Sequence, residues 1–160
     1  MRDSRRRAAA SNSSAAQKAA LADDQVRLST VEQDLNISDD SAALAATGLA
    51  TLKELAAKHP NSLLIIDSEV AALLNVKPVT LRDSSLTIAC AEREALLTKR
   101  KRPSVLLSLA QAYRSAGQME QSRAAAKEGL ALLPVVSAGT PLPRTRKLLE
   151  LEAEAKHAAK

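Results

Sequence analysis

Two apolar stretches face each other across a single glycine in residues 103–134, and each is bounded on its outer side by proline. No other feature constrains the fold as tightly. Pro103 suits the first turn of a helix, where its missing N–H has no intrahelical partner to lose. Leu106, Leu109, Ala110 and Tyr113 then follow at helical spacing. Gly117 offers the turn, and Ser122, Ala126 and Gly129 place small residues along a second run that Pro134 closes. Two helices, over 104–116 and 119–133, are expected to fold back on one another. Antiparallel helices joined by a tight turn approach closely only where the crossing residues are small. Ala110, Ser122 and Gly129 are placed for that contact, with Leu106 and Leu109 filling the grooves beside them.

Composition extends the same conclusion to the rest of the chain. Of its 160 residues 46% are hydrophobic, yet there is one Tyr and no Phe or Trp, so the apolar mass is Ala and Leu. Both are strong helix formers, whereas a sheet draws on Val, Ile, Tyr and Phe in alternation. The expected class is all-α. Without rings, a stacking platform for nucleobases cannot be built either.

The remaining segments punctuate themselves. Residues 1–14 are basic and then Ser/Asn-rich, the composition of a disordered tail. Within 1–20, five basic residues oppose one acidic residue, so +4 of the net +5 lies there and the body is close to neutral. A helical pattern runs from about residue 15 to 35, and a clearer one from 41 to 58, with Asp39 and Asp40 before it and Lys58, His59 and Pro60 at its end. Asn61 or Ser62 can cap a segment over 62–74; its Leu-Leu-Ile-Ile run suits a buried strand as well, but nothing else in the chain could pair with it, and helix is expected. The stretch NVKPVTLR is a loop, after which Asp83 or Ser84 caps a helix over 85–97. A linker is expected over 134–143 and a last amphipathic helix over 144–160.

The spacing across 103–134 resembles the tetratricopeptide repeat, a helix–turn–helix unit of about 34 residues. In that resemblance Tyr113 takes an aromatic position, Ser122 the second small position, and Ala126 stands where a ring is common. The string from LRDSSLTIAC to AAAKEGLALLP is similar to the repeat-bearing tails of bacterial proteins that include eukaryotic-like serine/threonine kinases; the likeness covers roughly residues 44–152, with Ser84 in place of a usual proline and Glu94 and Ser122 in places often filled by alanine. The kinase glycine loop, HRD and DFG are absent from these residues. The resemblance implies antiparallel hairpins over 15–133, stacked as a short right-handed α-solenoid. Helices 62–74 and 85–97 form a degenerate repeat, and 144–160 acts as the capping helix that hides the last apolar face.

Residues that could carry chemistry have plainer explanations. Cys90, the one cysteine, lies between Ala89 and Ala91 and reads as a small buried hydrophobe; a lone thiol offers neither a disulfide nor a metal cluster. His59 before Pro60 suits a helix end, and Asp67 and Glu69, two apart, do not meet as a carboxylate pair. The run Lys99–Arg102 fits a solvated turn better than a nucleic-acid patch, since no ring accompanies it. No catalytic, metal or cofactor site is expected.

Function then falls to the surface. In stacked hairpins the first helices line a concave face, here Ser104, Ser108, Gln111 and Arg114, with Asp67 on the preceding hairpin. A non-catalytic module that holds a protein or peptide partner is the leading expectation, either free-standing or as the regulatory tail of a larger signalling protein. The alternative is nucleic-acid or polyanion binding through the basic arm at Arg5–Arg7 and the Lys99–Arg102 turn. No stretch reaches the roughly 18 apolar residues of a membrane span, and the Arg-rich start lacks the apolar run of a secretory signal. A cytoplasmic location is expected, or an extracytoplasmic one if these hairpins are the tail of an anchored protein.

Overall fold

The computed structural model describes residues 22–31, 42–133 and 143–158. Residues 22–31 are helical (α1) and are followed by α2 (Ala42–Lys58), α3 (Leu63–Asn75), α4 (Ser84–Leu97), α5 (Pro103–Ser115), α6 (Met119–Ala131) and α7 (Pro143–Ala158). A single 3-10 turn, Val79–Leu81, lies between α3 and α4, and no strand occurs among the described residues. The expected tail over 1–14, Asp39, Asp40 and Pro134 lie outside the described residues, as does the linker up to 142. Pro143, expected to end that linker, instead opens α7.

Local chemistry sets the ends of these helices. The Asp83 carboxylate accepts from the Leu86 N–H at 2.9 Å and so starts α4. Ser62 takes the equivalent place before α3 without a side-chain cap. Pro103 occupies the first turn of α5. Gly117 sits at φ 75°, the left-handed conformation that a Cβ disfavours. The Gly117 N–H donates to the Arg114 carbonyl at 3.0 Å and the Gln118 N–H to the Tyr113 carbonyl at 2.9 Å, reversing the chain into α6. The Leu-Leu-Ile-Ile run is helix because Ile65, Ile66, Glu69, Val70 and Leu73 recur on one face, which α3 buries.

From α2 onward each helix packs on its successor, and α5 also touches both α3 and α7. The main core joins Ile66 and Val70 of α3, Ala91 and Ala95 of α4, and Leu106, Leu109 and Ala110 of α5 to Ala125 and Ala126 of α6 and Leu148 and Leu151 of α7. Burying each of these leucines contributes roughly 2 kcal/mol. A second cluster packs Leu28 and Val31 of α1 on Leu52, Leu55 and Ala56 of α2 and Ile65 of α3.

The small residues lie where the rods come closest. Ser122 is buried, and its hydroxyl donates to the Ala110 carbonyl at 2.8 Å, tying α6 to α5. A Cβ at Gly129 would stand 3.1 Å from Leu148 Cδ2 and 3.3 Å from Leu106 Cβ, so Gly129 is where α6 admits α7 as well as α5. Tyr113 is half-buried and donates its hydroxyl to Glu92 of α4, with burial first and that carboxylate second pushing its pKa up to about 12.

Candidate functional site

A concavity of about 550 Å³ lies where the end of α3, the turn before α4 and the second half of α5 meet. Leu73 and Leu74 supply its apolar wall, and Val79 adds to it from the 3-10 turn. Arg82 and Ser84 line it on the α4 side, with Thr87 buried beneath them. Gln111, Arg114 and Ser115 of α5 complete it opposite Asn75.

Local bonding fixes that lining. Arg82 donates from Nε to the Val76 carbonyl at 2.9 Å, binding the turn to the end of α3, where the last carbonyls lack helical partners. Thr87 donates its hydroxyl to the Asp83 carbonyl at 2.6 Å. Asn75 donates its amide to the Ala71 carbonyl at 2.8 Å, which leaves its side-chain oxygen as an acceptor. Arg114 donates to Glu154 of α7 at 2.7 Å, and that bond holds the Glu154 carboxyl below its ordinary range. The groove therefore offers two guanidinium groups, hydroxyls and amides above a leucine wall.

Of the five residues expected on the concave face, Gln111 and Arg114 line this groove. Ser104 and Ser108 share the Gln111 stripe of α5, at i, i+4 and i+7, and lie toward its other end, half-buried. Asp67 is exposed and belongs elsewhere: it stands beside the α4 carboxyl of Glu94. Arg82 and Thr87 were not expected here, because only the fold of the 76–83 turn brings them against α5.

Glu94 is the least conventional residue of the molecule. It is 0% exposed, and no donor reaches either carboxyl oxygen. Its pKa rises to about 7, through loss of hydration first and the neighbouring Asp67 carboxylate second, with Arg102 opposing. A protonated Glu94 can donate to Asp67, whereas an ionised one has nothing to accept from.

Several other ionisable groups are engaged locally. Asp24 of α1 receives His59 Nε2 at 2.7 Å and Lys58 Nζ at 3.4 Å, so His59 reaches back to α1 rather than only ending α2; the bond to His59 is the main reason the Asp24 carboxyl is lowered. Cys90 is half-buried against Glu69; burial first and that carboxylate second push its thiol up to about 12, well away from a reactive thiolate. Glu69 is itself raised by burial and borders a smaller concavity of about 150 Å³ with Leu49, Lys53 and Leu86. In the expected solvated turn Lys99, Lys101 and Arg102 are exposed, but Arg100 is not a free cation. Its Nε donates to both Glu128 carboxylate oxygens, at 2.8 and 3.0 Å. Among the described residues no three His, Cys, Asp or Glu side chains gather to hold a metal ion, and no helix is long and apolar enough to cross a membrane.

Comparison with protein-family models gives no match to this chain, and comparison with curated proteins gives none either.

Proposed function

We propose that the chain is a helical-repeat interaction module, built as tetratricopeptide-like hairpins, that holds an extended segment of a protein partner in the groove between α3, the 76–84 turn and α5. The groove carries this reading: leucines on one wall can take a partner side chain, while Asn75, Gln111 and the arginines supply donors and acceptors for its backbone and carboxylates. Two further observations support a stack of hairpins. α5 touches α3 and α7 as well as its sequence neighbours, as first helices do when repeats share one face. The small residues expected at the crossings, Ala110, Ser122 and Gly129, are all buried. In a longer signalling protein, a serine/threonine kinase for instance, the same groove would bring a partner to a catalytic domain outside these residues.

The test is peptide selection from a random display library on the whole chain, followed by mapping of amide chemical shifts. Selected peptides are expected to shift Leu74, Arg82, Thr87, Gln111 and Ser115 together, and Gln111→Tyr, which fills the groove, should abolish their binding. Selected peptides that shift another surface, or bind the Gln111→Tyr chain unchanged, would remove the groove from consideration.

A further inference from the structure

Four exposed leucines lie at the opposite end of the helices. Glu128 of α6 grips Arg100, so the α4–α5 turn abuts the end of α6, and Leu132 lies four residues beyond Glu128. Asp67 stands beside Glu94, so the start of α3 lies against the end of α4; Leu64 is three residues before the one and Leu97 three residues after the other. Leu96 is 73% exposed, Leu64 55%, Leu132 42% and Leu97 39%. Single exposed leucines are ordinary, but a group at one end marks an interaction surface.

The charges around them are mainly positive. Lys99, Lys101 and Arg102 are exposed, and neither lysine forms a salt bridge among the described residues. Of the nearby acids, Glu128 is paired with Arg100, and Asp67 stays an exposed carboxylate beside Glu94, outnumbered by the cations. Leu106 and Leu148, early in α5 and α7, both meet Gly129, while Arg114 and Glu154, late in the same helices, pair; α5 and α7 therefore run parallel, and the exposed Arg144 and Arg146 at the start of α7 belong to this end too. The turn is also fixed. Lys99 and Arg100 sit at φ 53° and 55°, a left-handed conformation unfavourable to both, held by the grip on Glu128 and by the Arg100 N–H donating to the Ala95 carbonyl at 2.7 Å.

We propose that this end is a peripheral docking face for an anionic lipid surface, with Leu96 and its neighbours entering the headgroup–acyl boundary while Lys99, Lys101 and Arg102 meet the headgroups. The shape favours lipid over protein. None of these residues lines either concavity, and the face consists of helix ends and a tight turn, which suits a broad surface with an apolar layer beneath anionic groups.

Co-sedimentation of the whole chain with vesicles tests it, using phosphatidylcholine alone and phosphatidylcholine mixed with phosphatidylserine. Binding is expected only to the mixed vesicles and should weaken with added salt. Each cation near such a surface strengthens binding about five-fold, so Lys99→Gln with Lys101→Gln should weaken it about 25-fold. Leu96→Ser should weaken it about ten-fold. Both sets of changes are on exposed side chains, and circular dichroism checks that the helices persist. Unchanged binding by the lysine variant would show that the α4–α5 turn does not meet the headgroups and overturn the proposal. So would unchanged binding by Leu96→Ser, which would leave no role for insertion. Absence of vesicle binding, or binding to polyglutamate or duplex DNA in its place, overturns it as well. None of these outcomes bears on the peptide groove.

Discussion

Changing Glu94 to Gln should stabilise the protein above neutral pH while leaving it little altered in mild acid. The carboxyl is fully buried between α3, α4 and the start of α5, and its pKa of about 7 lies above the ordinary value of 4.5. The folded state therefore binds the proton more tightly than the unfolded chain does. The resulting stabilisation is complete below about pH 4.5, declines as the pH rises from there, and is gone above about 7. The shift of about 2.5 units corresponds to roughly 3 kcal/mol at 1.36 kcal/mol per unit. A glutamine keeps the shape and can donate an N–H to Asp67 without ever ionising. Urea unfolding at intervals between pH 5 and 8, followed by circular dichroism, measures the difference. Wild type should lose stability across that range relative to Glu94→Gln, and the glutamine variant should exceed it at pH 8 by up to roughly 3 kcal/mol. Contributions from the shared His59–Asp24 contact cancel in this comparison. Parallel curves for the two proteins, or a glutamine variant weaker at pH 8, would refute the burial argument.

Other perturbations probe the packing. Ala110→Trp should overpack the α5–α6 crossing by roughly 3 kcal/mol or more and lower the melting temperature; a melt at the wild-type temperature would show that this crossing is not tight. Gly129→Val should destabilise by about 1–3 kcal/mol in urea, because its Cβ alone would press on Leu148 and Leu106. Cys90, with its thiol held near 12, should react with iodoacetamide at pH 8 far more slowly in the folded protein than in urea, and equal rates would place it outside the α3–α4 contact.

Much of the fold was legible because its punctuation is local. Pro60, Asp83, Pro103 and Gly117 each act within a few residues, and the helices around them begin and end within one or two residues of expectation. Small residues among leucines likewise announced the α5–α6 crossing. Contacts between distant residues were not visible in this way. Nothing local shows that Glu94 is buried, or that Asp67, 27 positions earlier, will stand beside it. Arg100 looked like one cation in a solvated run until Glu128 drew it in. The groove was half visible: Gln111 and Arg114 follow from the face of α5, while Arg82 and Thr87 depend on how a proline-containing turn folds back.

Close approach of α6 to its neighbours at Gly129 underlies both the core and the surfaces built on it. Nuclear Overhauser contacts from the Gly129 α-protons measure that approach. Strong cross-peaks to the Leu148 methyls and to the Leu106 side chain are expected, given a Cβ site 3.1 and 3.3 Å from them. Intact helical signals without those cross-peaks would contradict the packing of α5, α6 and α7.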